Sequence, residues 1–373
     1  MSPRPSDSHV NQRLSPAALR ATLSAGTEVA LIDVREEAAF GEGHLLLAAN
    51  LPLSRLELLA YDLVPRHHCR IVVCDADGAA GGLAERAAAR LHALGYDDVA
   101  VVDGGIQGWE AAGGLLFSGV NVPSKAFGEV VYHECATPEI TAVDLKAQLD
   151  AGSDMVVLDS RPWDEYHAMN IPGGIDCPGA ELVYRVHDLA PSPDTVVVVN
   201  CAGRTRSIIG AQSLIDAGVP NKVMALRDGT MGWHLAGFTL EHGAERRPDA
   251  PSDAARKVAR ERAAAVAKRW GVRHIDAGTL EAWRAEADRT LYLLDVRLPE
   301  AYAAGHLPGS RSAPGGQLVQ ATDRYMATRN ARVVLVDEPD AVRATMTAAW
   351  LIRMGWPEVV VYPCPALGEG TRL

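Results

Sequence analysis

The chain has 373 residues, 47 acidic side chains against 36 basic ones, a formal net charge of −11 and 48% hydrophobic residues. That length spans two to four globular domains with ample apolar material for a core. The acidic balance excludes a general nucleic-acid binder, because phosphate contacts need a basic surface, but it says little about small anionic substrates, whose binding depends on local arginines. No stretch approaches the apolar length of a membrane span, so no membrane partner is expected. The opening MSPRPSDSHVNQ lacks the apolar core of a signal peptide, which makes a cytoplasmic location the expectation. Six cysteines, Cys69, Cys74, Cys135, Cys177, Cys201 and Cys364, have neither the density nor the spacing of a disulfide framework and point to a reducing compartment.

An internal repeat organises the chain. Leu31-Ile32-Asp33-Val34-Arg35, Val157-Leu158-Asp159-Ser160-Arg161 and Leu293-Leu294-Asp295-Val296-Arg297 each read as a strand ending in Asp-x-Arg. They lie 126 and 136 residues apart, periods that suit three successive domains rather than a solenoid. Each unit opens with a capped helix: Ser15-Pro16, Thr141 with Asp144 three residues on, and Asp276. After each Asp-x-Arg come an acidic residue and an aromatic, Phe40, Tyr166 or Tyr302; Gly43-His44 and Gly305-His306 follow in two units, Met169-Asn170 in the other. Strands alternating with helices predict an α/β layer structure with a mostly parallel sheet in each unit. Ligands of such folds sit beyond the carboxyl ends of the strands.

In the first unit, Ile71-Val72-Val73-Cys74 is a strand ending in a thiol, but Asp75 and Asp77 follow. Carboxylates beside a thiol oppose its ionisation and repel an anion, so Cys74 reads as a strand residue. His67-His68-Cys69 reads as a solvated turn, since adjacent side chains point in different directions. The segment Gly119 to Thr137 shows no clear periodicity and reads as a linker packed across a domain boundary. Cys135 within it reads as an incidental thiol, with a resolving role for Cys201 as the alternative.

The middle unit carries the chemistry. Val196 to Val199 is an unbroken β-branched run, read as a short buried strand. It delivers Cys201 into a tight loop, Ala202-Gly203-Arg204-Thr205-Arg206, that runs into a helix marked by Ile208, Ala211 and Ile215 and ended by Gly218. A loop curling into a helix start aims several backbone N–H groups at one point, and the helix dipole adds positive potential there. Such a place favours a thiolate, and Arg204 and Arg206 add fixed cations that grip an anionic substrate. A buried structural thiol is the bland alternative; two arginines and a glycine at a helix start argue against it. Thiolate phosphatases also place an arginine after a cysteine, but their loop encloses five residues, whereas Cys201 to Arg206 encloses four.

With these residues in view, the middle unit resembles the rhodanese-type sulfurtransferases. The resemblance rests on the cysteine loop, on Leu158-Asp159-Ser160-Arg161 with Glu165-Tyr166, on Ile171-Pro172-Gly173, and on Asp228-Gly229-Thr230-Met231-Gly232-Trp233. It implies tandem three-layer α/β/α domains: a non-catalytic module at 1–118, a catalytic one at 119–247, and a degenerate, incomplete one at 248–373. It also implies a sulfane sulfur carried as a persulfide on Cys201 from thiosulfate or a related anionic donor to a thiophilic acceptor, such as cyanide, a thiol or an acceptor protein. No metal or organic cofactor is expected. The substrate-binding set is Ala202, Gly203, Arg204, Thr205, Arg206 and Ser207, with Arg185 as either an added anion ligand or a structural salt bridge. In this family the Asp-x-Arg and Gly-His elements hold the architecture, and His44 and His306 read as structural because neither has a second ligand at metal spacing. The loop matches neither the arginine-first pattern of thiosulfate-preferring members nor the Gly-Ser-Gly-Val-Thr pattern of mercaptopyruvate-using ones, which leaves the donor open. A persulfide carrier with little turnover is the alternative, and a thiolate phosphatase the third reading.

After a polar linker around 241–250, Ser252 starts a helix continuing to about Trp270, with Arg256, Lys257, Arg260 and Arg262 as its solvated face. In the third unit, Val333 to Val336 leads into Asp337-Glu338-Pro339-Asp340 with no cysteine. A helix from Val342 to Met354 and a strand at Val359 to Val361 follow. Cys364 then arrives between prolines in place of an Asp-Gly-x-x-x-Trp ending, so the unit reads as degenerate, with a missing terminal helix or a shortened form of a longer array as the two alternatives.

Overall fold

The computed structural model describes residues 12–365; residues 1–11 of the opening stretch lie outside the described residues. The chain divides into two compact units, one of 1–123 with 284–292 and 322–332, the other of 124–283, 293–321 and 333–373. In the first unit, Gln12–Leu14, Val99–Val102, Arg70–Cys74 and Val29–Asp33 are parallel neighbours in that order. Ala49–Asn50 pairs parallel with Val29–Asp33, and Thr328–Arg329 pairs antiparallel with it. Apart from residues 291, 292 and 332, the second unit contains two further sheets with the same strand order. One runs Glu139–Ile140, Val223–Leu226, Val196–Asn200, Met155–Asp159, Ile175–Asp176; the other runs Arg273–His274, Glu358–Pro363, Arg332–Asp337, Leu291–Asp295, Arg311–Ser312. The central strands are buried on both faces, which is why Val197, Val198 and Val199 form a continuous apolar run.

The Asp-x-Arg motif does the same thing three times. The arginine folds back so that its Nε and Nη2 bind the aspartate two residues earlier, and Nη2 also donates to a carbonyl eight residues on, that of Gly43, Met169 or Gly305. Every aspartate of these pairs is at most 1% exposed, so the charge is tolerable only because the pair and its hydrogen bonds close on themselves. His44 stacks on Phe40 and His306 on Tyr302, with ring centroids 3.8 and 4.0 Å apart, and both imidazoles bond to backbone carbonyls. At the corresponding place Asn170 donates from Nδ2 to the Tyr166 carbonyl. The helix caps form as their residues dictate: Ser15, Thr141, Ser252 and Asp276 accept from the N–H groups of Ala18, Asp144, Ala255 and Thr279.

Two readings change. The stretch 119–137 is no irregular linker: Val122–Cys135 is a helix burying Ser124, Gly128 and Val131 along one side. Its small residues carry little periodic signal in sequence. The basic residues of helix Asp253–Trp270 are more than a solvated face, because Arg256 and Arg260 both pair with Asp340. His67 and His68 are exposed, as a solvated turn requires, and burial pushes the Cys69 thiol up to about 11.

Candidate active site

Strand Val196–Asn200 ends one residue before Cys201, and helix Thr205–Asp216 begins four residues after it. Parallel pairing sets the end of the strand, with Asn200 opposite Asp159. Asn200 Nδ2 donates to Asp159 Oδ2 at 2.8 Å and to Thr230 Oγ1 at 3.1 Å, and the Asn200 carbonyl accepts from both the N–H and the Oγ of Ser160. From this anchored end the chain turns sharply. The Cys201 and Ala202 carbonyls accept from the N–H groups of Thr230 and Met231, at 2.8 and 3.0 Å. That approach requires glycine at 229: its φ is +54°, and a Cβ there would lie 2.2 Å from the Cys201 carbonyl oxygen. Cys201 itself is 2% exposed, in the floor of the loop.

Helix Thr205–Asp216 has no side chain capping its first turn, so its leading N–H groups face the loop without helical partners. Ser207 Oγ donates to the Arg204 carbonyl at 2.7 Å and fixes the turn from within. The two loop arginines are held differently. Arg204 gives Nε and Nη2 to Glu129, at 2.6 and 3.2 Å, and Nη1 to Glu139 at 3.4 Å, with its guanidinium 4.4 Å from the Tyr132 ring centroid. Its Glu129 bond raises its pKa against the opposing effect of burial. Arg206 is more deeply set. Nη1 and Nη2 each reach Glu165 at 2.7 Å, and Nη1 also reaches Gln317 Oε1 at 3.2 Å. Burial opposes its charge, but Glu165, Cys201 and Asp159 together raise its pKa. Among the described residues, nothing in the protein accepts from its Nε–H or from the second proton of Nη2. These two donors form a side-on fork, the geometry in which a guanidinium can bind an oxyanion bidentately.

Arg185 lies in helix Leu182–Leu189 and bonds to Glu181 Oε2 at 2.6 Å and to the Asp249 carbonyl at 2.5 Å. It fastens that helix to the segment after the middle sheet, and its bonds reach no residue of the 201–207 loop. Sequence reasoning missed Glu129, Glu139 and Gln317 altogether. Glu165 was visible only as part of a motif, without its partner. Cys201 lines neither of two neighbouring cavities of the second unit. One, of about 30 Å³ beneath Thr205 and Arg206, has room only for water. The other, of about 440 Å³ between Trp163, Arg247, Leu298 and Gln317, is of the size small ligands occupy.

The flanking modules place an aspartate where the middle one has its cysteine. Val34 and Val296 donate to the carbonyls of Cys74 and Val336 as Ser160 does to Asn200. Cys74 therefore matches Asn200, and Asp75 and Asp337 match Cys201. Both oxygens of Asp75 accept backbone N–H groups, from Gly78 at 2.7 Å and Ala84 at 2.8 Å. Asp337 likewise accepts from Glu338 and Ala344. Cys74 is fully buried, and burial with Asp33 and Asp75 nearby raises its pKa well above the usual thiol value. Cys364 donates its N–H to the Asp337 carbonyl, as Thr230 does to that of Cys201.

The family model of the rhodanese-like domain matches residues 15–112, 141–236 and 276–364. A crystal structure of a thiosulfate sulfurtransferase from Pseudomonas aeruginosa is 58% identical, with a TM-score of 0.92, over 95% of this chain and 67% of that one. An HTH-type transcriptional regulator of Mycobacterium tuberculosis is 35% identical over 105 residues, which are 28% of this chain and 45% of that protein. A thiosulfate sulfurtransferase of Azotobacter vinelandii is 26% identical over 232 residues, 52% of this chain and 83% of the relative. The chain thus spans less than half of the regulator and about two thirds of the Pseudomonas aeruginosa chain.

Proposed function

Because the chain belongs to the family of rhodanese-like domains, we propose that it is a sulfurtransferase working through Cys201 in its middle module, with thiosulfate as donor. The observation that carries this reading is the juxtaposition of a strand-end cysteine, an uncapped helix start and the open side-on fork of Arg206 in one loop. The Cys201 thiolate attacks the outer sulfur of thiosulfate; the new S–S bond forms as the old one breaks, and sulfite leaves with the electron pair. Arg206 grips the departing oxyanion. Arg204, its fork taken by Glu129, braces the loop and adds positive charge. The N–H groups from Ala202 to Ser207 then hold the terminal sulfur of the persulfide, as an oxyanion hole holds oxygen. A nucleophilic acceptor, cyanide in an assay or a thiol or acceptor protein in the cell, attacks that sulfur and returns the thiolate. No cofactor takes part. Two half-reactions sharing a covalent intermediate give ping-pong kinetics.

The names of the Pseudomonas aeruginosa and Azotobacter vinelandii relatives support this choice of donor. The flanking modules act as scaffold: Asp75 and Asp337 fill with a carboxylate the place where the middle module holds its sulfur. Thiosulfate-to-cyanide transfer, followed as thiocyanate, tests the reading. The intact chain and Cys74→Ser turn over, and Cys201→Ser does not. Activity surviving in Cys201→Ser refutes the assignment, and one sulfur bound per chain without turnover marks a carrier instead.

A further inference from the structure

Within the second unit the middle and third modules meet through equivalent segments. Gly179 and Gly315 hold the same place in their modules, donating to the Ser160 and Val296 carbonyls at 3.2 and 3.1 Å. A Cβ on Gly316 would stand 3.2 Å from the Gly179 Cα, and one on Gly315 would stand 3.0 Å from the Ala180 Cβ. The contact is therefore reciprocal, with Gly179 against Gly316 and Ala180 against Gly315, and it brings the backbones close enough for the next residue of each segment to cross over. Those residues are Glu181 and Gln317. Glu181 reaches Arg343, and Gln317 reaches Arg206. Arg343 and Arg206 are themselves equivalent, each the second residue of a twelve-residue helix, Val342–Arg353 and Thr205–Asp216.

The two crossings differ by one charge. Glu181 takes Nε and Nη2 of Arg343, closing its side-on fork, while Asp337 and Glu338 take Nη1. Gln317 takes only one Nη1 proton of Arg206, leaves the side-on fork open, and adds no charge to an arginine already matched by Glu165. We propose that Gln317, supplied by the third module, which has Asp337 in place of the loop cysteine, is a positioning and specificity-determining residue of the Cys201 site, whose neutrality keeps Arg206 available to a doubly charged sulfur donor. This rests on the sulfurtransferase reading above. A carboxylate at 317 adds a negative charge beside the guanidinium and competes for its fork, as Glu181 does at Arg343.

The test is steady-state thiosulfate-to-cyanide kinetics on the full chain, native and as Gln317→Glu and Gln317→Leu. Gln317→Glu is expected to raise the KM for thiosulfate tenfold or more with kcat within twofold, and Gln317→Leu to raise KM a few-fold. With methanethiosulfonate, which carries one charge rather than two, the Gln317→Glu penalty shrinks; a merely structural lesion would tax both donors alike. Sulfite binding by calorimetry reads the same effect without turnover, so a native chain that fails to turn over sinks the sulfurtransferase reading alone. An unchanged KM in Gln317→Glu, or sulfite binding equal in all three proteins or absent from the native one, overturns the role of Gln317.

Discussion

At the scale of single residues, burial decides which acids and thiols keep their ordinary chemistry. Asp176 is 3% exposed; its Oδ2 accepts from Arg247 Nε at 3.1 Å, and among the described residues its Oδ1 has no hydrogen-bond partner. Desolvation pushes its carboxyl up to about 6 despite Arg247. Between roughly pH 4 and 6 the folded chain then holds a proton that the unfolded chain has released. Stability therefore falls as pH rises through that window and levels off above it. Replacing Asp176 by Asn removes this penalty, worth at most about 3 kcal/mol; urea melts of both proteins at pH 4.5 and 7 should show the variant's relative gain larger at pH 7 than at pH 4.5. The same desolvation raises the thiols of Cys74 and Cys177 well above the usual range. Neither should be alkylated by iodoacetamide at pH 7 in the folded chain, as peptide mass spectrometry will read.

At the scale of elements, the loop is built by what flanks it. Gly229→Ala forces a side chain into a left-handed conformation and onto the Cys201 carbonyl, a strain on the order of 1–3 kcal/mol; activity should drop with the melting temperature. Asp159→Ala leaves Arg161 buried without its partner and frees Asn200, which should cost about 3–5 kcal/mol in a urea melt. Strands, caps and the cysteine loop were legible in sequence because their causes are local: a run of valines, a serine before a helix, a glycine after one. The partners of the two arginines were not. Glu129 and Gln317 lie 75 and 111 residues from Arg204 and Arg206 along the chain, and only the folded sheets and the glycine contact bring them together. The Val122–Cys135 helix escaped because small residues line its buried side. Cys74 could be set aside from its acidic neighbours, but the one-residue offset that matches Asp75 to Cys201 required the hydrogen-bond register.

At the scale of the whole molecule, three copies of one topology follow one another along a chain whose net charge is −11, and the middle copy carries the Cys201 loop. The negative sum and an anionic donor are compatible because charge is settled locally, arginine by arginine. In the flanking modules a carboxylate, Asp75 or Asp337, stands at the position of Cys201 and accepts the backbone N–H groups there. Asp75→Ala strands the N–H groups of Gly78 and Ala84 and should destabilise the chain by about 1–3 kcal/mol, with kcat unchanged in the thiocyanate assay. The central claim is that sulfur passes through one of six cysteines. Its most direct measurement is peptide mass spectrometry of the full chain after brief exposure to thiosulfate, followed by alkylation without reductant. The account predicts one added sulfur on the peptide carrying Cys201, removed by cyanide. Sulfur on the Cys74 or Cys364 peptide instead, or turnover with no sulfur on Cys201, would contradict it.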